Sequence, residues 1–184
     1  MSEFPSPAPG WGGDGAPPAA GYGYPESGKV DSRGRPYASW IKRVGASLID
    51  ALVVGVPSAV INGYSGADIV AVDPVTSEIS FNITGATVGS WALVVALSLA
   101  YFAILEGGRS GQTVGKRALG IQVRDALSGE PIGIARALGR RVLANLLWYM
   151  LFIPGLLDVL WPLWDARRQT WHDKAVNSVV VEAG

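Results

Sequence analysis

An aspartate interrupts the first strongly apolar stretch of the chain. Asp50 lies in the run RVGASLIDALVVG at residues 43–55, where nearly every residue after the first is apolar or small. A lone ionised carboxylate near the middle of a bilayer costs at least ~2.5 kcal/mol, so Asp50 must face protein or water and must be paired or protonated. A proton or cation site is one chemistry that such a residue provides. The alternative is a tether that hydrogen-bonds a neighbouring helix or an arginine and fixes the packing of the bundle.

Arg43 is the charged residue that stands at the start of the same run. Arg43 and Asp50 are about two helical turns apart, which places them on nearly the same helix face, about 10 Å apart along the axis. A direct contact therefore requires the long arginine side chain to reach inward. The two residues together form the candidate ion or proton site.

The segment GQTVGKRALG at residues 111–120 partly matches a phosphate-binding loop. Ser110 stands at the position of the first glycine of that motif, and Arg117 replaces the hydroxyl that would hold magnesium, so nucleotide binding is not expected. We expect instead that Gly111 and Gly115 let the chain turn sharply out of the membrane. Lys116 and Arg117 are then expected to anchor the turn to anionic lipid headgroups.

The sole histidine, His172, stands beside Asp173 in the sequence WHDKA at residues 171–175. A metal site needs further ligands at suitable spacing, and none are near in the sequence, so no metal is predicted. The chain also lacks a GxSxG elbow and an HExxH helix, so an enzyme is not expected. Asp173 is expected to pair with an arginine and to hold the C-terminal strand under the helical bundle.

The composition indicates that these residues belong to a membrane protein. Of the 184 residues, 49% are hydrophobic and only 16% are charged, which is too apolar for an ordinary small soluble domain. Residues 44–61 and 88–105 are each long enough, with flanking residues, to cross a ~30 Å hydrocarbon layer. The formal net charge of zero argues against a basic nucleic-acid-binding protein. No cofactor is predicted, and the absence of cysteine excludes a disulfide framework.

The distribution of charge predicts the orientation of the two spans. Lys42 and several arginines precede the first span, whereas the loop at residues 62–87 contains acidic residues and no lysine or arginine. Basic residues again dominate the segment 109–141, which follows the second span. By the positive-inside rule, the N-terminus and the segment 109–141 are cytoplasmic in a plasma-membrane protein.

A third apolar region, residues 142–164, is interrupted near its centre by Pro154 and Gly155. A kinked third span would place the basic residues that follow it outside, against the charge rule. Short β-branched runs at residues 120–124 and 178–181 predict a small cytoplasmic strand pair, which requires both runs to share one side. We therefore favour a re-entrant hairpin that turns at residues 153–155 over the kinked span. Asp158, near the mouth of this broken helix, is expected to be solvated or to cap a helix.

Two further segments remain. One is expected on the inner face of the membrane domain, and the other precedes the domain. Residues 131–141, PIGIARALGRR, suit a helix that lies in the membrane interface, and Arg136, Arg140 and Arg141 are expected to contact anionic lipid headgroups. Residues 1–36 are rich in proline, glycine, alanine and serine and show no helical or strand periodicity. We predict that they form a disordered tail, followed by an all-α membrane domain at residues 37–182.

Several separate blocks of the sequence occur in an order that is similar to the RDD family of small prokaryotic membrane proteins. The resemblance covers residues 36–182 and implies a membrane protein for which no molecular activity is defined, although transport has been suggested for the family. The family is named for an arginine and two aspartates, which the resemblance places at Arg43, Asp50 and Asp173. The blocks are Arg43 with Asp50, residues 111–125, the arginines Arg136, Arg140 and Arg141, and residues 167–181.

Two classes of function follow from these residues. One is a transport or ion-coupled antiport component that uses Asp50 and Arg43 within a pore formed by oligomerisation, because so few helices can hardly enclose a path alone. The other is a membrane scaffold or accessory protein that binds anionic lipids and protein partners through its basic inner face and its tail. Few other polar residues lie inside the spans, and this scarcity is less typical of a transport path.

Overall fold

The computed structural model describes residues 30–66, 70–81 and 83–184. Much of the predicted disordered tail, residues 1–29, lies outside the described residues. Its last part, residues 30–36, is described and contains a turn. Val30 pairs with Pro36 across a turn, and Arg35 closes this turn with a side-chain hydrogen bond of 2.8 Å from Nε to the carboxylate of Asp31.

The described residues form a mostly helical protein with two small antiparallel strand pairs. In chain order the elements are α1 (Trp40–Ser65), β1 (Val70–Val72), β2 (Ile79–Phe81), α2 (Gly85–Gly107), α3 (Val114–Ala118), β3 (Ile121–Asp125), α4 (Ile134–Met150), α5 (Phe152–Leu160), a 3-10 turn (Trp161–Leu163), α6 (Trp171–Ala175) and β4 (Ser178–Glu182).

The two predicted long apolar helices are confirmed as α1 and α2, and each extends beyond its predicted bounds. Both are long and apolar enough to cross a membrane, with 26 and 23 residues. The helices begin at side-chain caps, because the Ser39 hydroxyl accepts from the Lys42 N–H and Thr84 forms a reciprocal capping box with Thr87. Most of their apolar side chains are exposed, as expected for helices that lipid would surround.

The predicted strand pair near the C-terminus is confirmed as β3 with β4, in register from Ile121 opposite Glu182 to Asp125 opposite Ser178. Both edges of this pair are covered. At the β4 edge, Ala38 donates its N–H to the carbonyl of Val180. At the β3 edge, the carbonyl of Gly111 accepts from the N–H of Val123. The residues that precede α1 and those that follow α2 therefore lie in the same small sheet as the C-terminal strand.

A second strand pair, β1 with β2, occupies the segment that the sequence analysis treated as a polar loop. Its turn is organised by Asp73, whose carboxylate accepts from the N–H groups of Val75 and Thr76. These strands lie at the opposite ends of α1 and α2 from the β3–β4 sheet, since they connect the end of α1 to the start of α2.

The third apolar region is divided differently from the prediction. α4 starts at Ile134, well before residue 142, and the helical path breaks at Leu151 rather than at residues 153–155. Pro154 does not cause the break, because it lies in the first turn of α5, where the missing N–H has no intrahelical partner to lose.

α4 and α5 form a closely packed helical hairpin. A β-carbon at Gly155 would lie 2.8 Å from the carbonyl oxygen of Leu147 and 2.9 Å from Cα of Trp148, so only glycine fits at this contact. The Trp148 ring also stacks on the Phe152 ring with centroids 5.5 Å apart.

Candidate functional site

The carboxylate of Asp50 is buried and fully engaged by protein donors. Asp50 is 2% exposed. Its Oδ1 accepts hydrogen bonds from the Tyr101 hydroxyl and the Gly115 N–H, both at 2.8 Å. Its Oδ2 accepts a hydrogen bond of 2.5 Å from the Thr113 hydroxyl. Three donors satisfy most of the acceptor capacity of a carboxylate and fix its orientation.

These donors show what the Asp50 carboxylate does in the fold. Thr113 is the N-cap of α3, and its hydroxyl oxygen also accepts from the Lys116 N–H. Asp50 therefore holds the first turn of α3 against α1, while Tyr101 connects the same carboxylate to α2. This arrangement agrees with the structural interpretation of Asp50 as an interhelical tether.

Gly115 permits the close approach of α3 to α1. A β-carbon at this position would lie 2.1 Å from the carbonyl oxygen of Ala46 and 3.0 Å from the carboxyl carbon of Asp50. Gly115 is therefore needed for space rather than for the sharp turn that the sequence suggested. The other glycine of the predicted turn, Gly111, does make a turn, with a positive φ of 61°.

We expect Gly115→Ala to displace α3 and to weaken the bond from its N–H to Asp50. Overpacking at such a contact typically costs about 1–3 kcal/mol, so the thermal midpoint in detergent should fall by several degrees. Gly55→Ala is the matched control, because a β-carbon at Gly55 meets nothing within 4 Å. Equal midpoints for the two variants would contradict the close contact of α3 with α1.

Five charged side chains form a continuous buried chain of ion pairs, which we call the ion-pair chain. Lys116 Nζ lies 2.5 Å from Glu106 Oε1, and Glu106 Oε2 lies 2.6 Å from an Nη of Arg140. Arg140 Nε lies 2.7 Å from Asp173 Oδ1, and Asp173 Oδ2 lies 2.8 Å from an Nη of Arg43. The chain connects α3, α2, α4, α6 and α1 in that order.

The ion-pair chain contains three cations and two carboxylates, all of them largely shielded from solvent. Burial alone would raise the pKa of Asp173, but the positive charges of Arg140 and Arg43 hold that pKa well below its usual range. Buried ion pairs gain little over well-packed apolar residues, yet removal of one partner leaves an uncompensated charge. The chain therefore links the five helices in a mutually dependent way.

Asp173 has both an electrostatic and a local role. It completes the capping box of α6, in which the Thr170 hydroxyl accepts from the Asp173 N–H and the Asp173 carboxylate accepts from the Thr170 N–H. The Ser178 hydroxyl at the start of β4 lies 3.2 Å from the same carboxylate. The sequence predicted one arginine partner for Asp173, and the structure has two, Arg43 and Arg140.

Asp158 and His172 form a separate buried pair. Asp158 accepts from the backbone N–H of His172 at 3.1 Å and lies 2.6 Å from its ring Nδ1. Of the two expectations for Asp158, solvation is wrong, because the residue is buried, and capping is confirmed, because its carboxylate accepts from an N–H in the first turn of α6. Within the described ranges, no three potential metal-ligating side chains converge on one point.

The basic residues expected at lipid headgroups have different positions. Arg140, at 8% exposure, and Lys116 belong to the interior ion-pair chain instead of the surface. Arg136 lies 2.6 Å from Asp125 and closes the sheet against α4. Arg117 is exposed on α3, and Arg141 lies over a phenylalanine ring of α2.

The structure also separates two residues that the sequence analysis combined. Arg43 pairs with Asp173 rather than with Asp50, because its side chain extends towards the sheet end of α1 and not along the helix. Glu106, Tyr101 and Thr113 are partners that the sequence did not predict. A detectable signal for Glu106 was its position as the acidic residue at the end of an apolar helix, close to a segment with an excess of cations.

Comparison with known proteins agrees with the family resemblance found in the sequence. The sequence profile of the RDD family matches residues 37–177. The chain is 32% identical over 162 residues to a proline-rich antigen homolog of Mycobacterium tuberculosis, an alignment that covers 79% of this chain and 63% of that protein. It is 28% identical over 143 residues to the uncharacterized protein YxaI of Bacillus subtilis, covering 68% of this chain and 93% of YxaI. No solved structure matches the chain.

Proposed function

The chain belongs to the RDD family, and from this membership and the site geometry we propose that it is a membrane scaffold or accessory protein. The observation that supports this proposal best is the engagement of both candidate ion-site residues. Asp50 accepts three hydrogen bonds from protein groups, and Arg43 is paired with Asp173. Both residues thus maintain the fold, and we propose no enzymatic activity for them.

Transport is the second candidate function, and the ion-pair chain favours it. Titratable groups in an unbroken series between helices are a common feature of proton and ion pathways. In this case Asp50 would be the intramembrane acid, and several copies of the protein would enclose the path.

Ion flux in sealed vesicles distinguishes the two functions. Under the scaffold proposal, vesicles that contain the purified protein show the same proton and cation flux as empty vesicles. Flux in excess of empty vesicles that Asp50→Asn abolishes, in a protein that remains folded, would establish transport and overturn the scaffold proposal.

The proposed topology has both termini on the cytoplasmic side of the plasma membrane. α1 and α2 are the two spans, and the α4–α5 hairpin is a re-entrant element that enters from the cytoplasmic side and returns. The β3–β4 sheet supports this topology, because it contains the residue before α1, the segment after α2 and the C-terminal strand. An odd number of crossings after α2 would be incompatible with that shared sheet.

We expect three single-cysteine variants to report this topology, since the chain has no native cysteine. Val75→Cys, in the β1–β2 turn, should react with a membrane-impermeant maleimide in intact cells. Ser32→Cys and Gly184→Cys should react only after the membrane is permeabilised. Labelling of Gly184→Cys from outside would exclude the re-entrant hairpin and would indicate a third full span.

The proposed partners are the lipid bilayer, its anionic headgroups, and either a second copy or another membrane protein. Ser47, Ala51 and Gly55 follow one another at four-residue spacing on α1 and are exposed in the single chain. Such small residues allow two helices to approach closely in a bilayer. This surface supports association through α1.

A further inference from the structure

Arg141 is a shielded cation without a carboxylate partner. The three cations of the ion-pair chain each lie within 2.8 Å of a carboxylate oxygen. Among the described residues, by contrast, Arg141 has no ion pair and no hydrogen bond, and its Nε is shielded from solvent without a partner. Its guanidinium carbon lies 3.6 Å from the centroid of the Phe102 ring. The three cations of the ion-pair chain are thus compensated by carboxylates, whereas Arg141 is not.

The position of Arg141 along the bundle corresponds to the boundary of the hydrocarbon layer. Phe102 lies near the end of α2, about 7–8 Å along the axis before Gly107. At about 34 Å, α2 is slightly longer than the ~30 Å hydrocarbon thickness. A guanidinium at this level can extend to the phosphate groups of the cytoplasmic leaflet.

The surface of α4 around Arg141 changes from charged to apolar along the helix, as a phospholipid does from its headgroup to its acyl chains. Leu138, Arg141, Asn145 and Trp148 follow one another at three- or four-residue spacing and therefore share one side of the helix. Leu138 and Trp148 are 39% and 43% exposed, whereas Arg141 and Asn145 are half-buried. The amide of Asn145, like Arg141, has no hydrogen bond to the described residues. This side of α4 thus presents a cation, then an amide, then an indole ring.

We propose that Arg141 binds the phosphate group of an anionic phospholipid from the cytoplasmic leaflet. Asn145 lies at the level of the glycerol ester groups, and the acyl chains pass Trp148 towards the tip of the α4–α5 hairpin. The guanidinium offers several N–H donors to phosphate oxygens, which explains why protein acceptors are not needed. The ion-pair chain adds attraction for an anion, since it contains three cations and two carboxylates.

A lipid is a better fit to this surface than free phosphate. Val142 and Leu146, beside the Arg141 position on α4, are exposed apolar residues that the acyl chains of a lipid would cover and that a small anion would not contact. The inference rests on the proposed membrane location of the protein. It adds to that proposal the class of lipid and the residue that binds its phosphate.

Native mass spectrometry of the full-length protein tests this site with phosphatidylglycerol, phosphatidylcholine and inorganic phosphate as probes. We expect the wild-type protein to prefer phosphatidylglycerol over phosphatidylcholine and to bind inorganic phosphate weakly. Arg141→Gln should weaken phosphatidylglycerol binding about tenfold, because it removes a charge-assisted contact. Arg167→Gln is the matched control, since Arg167 is an exposed cation between the 3-10 turn and α6, and phosphatidylglycerol binding by this variant should be unchanged.

Arg141→Lys provides a second test if Arg141→Gln does not fold. Lysine keeps the charge but loses the planar arrangement of donors, so an intermediate affinity for phosphatidylglycerol is expected. Wild-type affinity in both the folded Gln variant and the Lys variant would overturn the site. Inorganic phosphate that competes with phosphatidylglycerol at similar concentration would overturn the lipid assignment. Failure of the wild-type protein to insert into vesicles would instead overturn the proposed membrane function.

Discussion

Asp173→Asn is expected to destabilise the protein by about 3–5 kcal/mol, the largest effect of any single substitution considered. The carboxylate lies between Arg43 and Arg140, and asparagine would leave both arginines facing a neutral group in a buried position. Thermal unfolding in detergent at neutral pH measures the effect. Glu182→Gln is the matched control: it removes the carboxylate paired with Lys42, but that pair is partly exposed, so a loss of at most ~1 kcal/mol is expected. Similar losses for the two variants would contradict a central role for the ion-pair chain.

The pH dependence of the same comparison has a defined sign. Because the pKa of Asp173 is lowered by folding, its stabilising effect is fully present above the ordinary carboxyl pKa of 3.8 and is lost as the pH falls towards the folded value. The difference in unfolding midpoint between wild-type and Asp173→Asn should be the same at pH 8 and pH 5 and should decrease below about pH 4. A difference that already changes between pH 8 and pH 5 would show that another group carries the effect.

Asp50→Leu is expected to destabilise the protein by about 2–4 kcal/mol, whereas Asp50→Asn should be close to wild-type. Leucine leaves the Gly115 N–H and two hydroxyls without their shared acceptor. Asparagine can keep both bonds to its Oδ1, and its amide can donate to the Thr113 hydroxyl oxygen, because that hydroxyl can rotate. Unfolding midpoints and the yield of membrane-inserted protein measure both variants. Equal loss in the Asn variant would show that the negative charge itself is required.

The two Asp50 variants also complement the flux measurement. A folded Asp50→Asn protein retains the tether but cannot exchange a proton at residue 50. Any transport that depends on titration of this residue is therefore separated from its structural contribution. The Leu variant does not offer this separation, because it removes both properties.

Much of the architecture could be predicted from the sequence because it depends on local patterns. The apolar runs around Asp50 and around residues 88–105 were long enough to predict both helices, and alternating β-branched residues predicted β3 and β4. The predicted break in the third apolar region is misplaced, because the prediction attributes the break to Pro154 and Gly155. Proline interrupts a helix in its interior and not in its first turn, and the start of α5 is determined by packing against α4.

The candidate site was less predictable because its contacts join residues distant in sequence. Arg140 faces carboxylates and its neighbour Arg141 does not, because adjacent residues on a helix point about 100° apart. The sequence shows that difference, but it does not show which side of α4 faces Glu106 and Asp173. The same limit applies to Arg43, whose partner is decided by the folding of the C-terminal segment onto the start of α1.

The long separation between Arg43 and Asp173 has a consequence for biosynthesis. The two residues are 130 positions apart, so at 5–20 residues per second the ribosome needs about 6–26 s to supply the aspartate after the arginine. Once Ser65 has been added, α1 is complete but its arginine still lacks this partner, and under the proposed topology its positive charge helps to orient the first span. Completion of the last few residues then neutralises that charge and joins the helices. A chain that stops before Asp173 would therefore insert in the correct orientation yet remain loosely assembled, and membrane proteases could distinguish it from the finished protein.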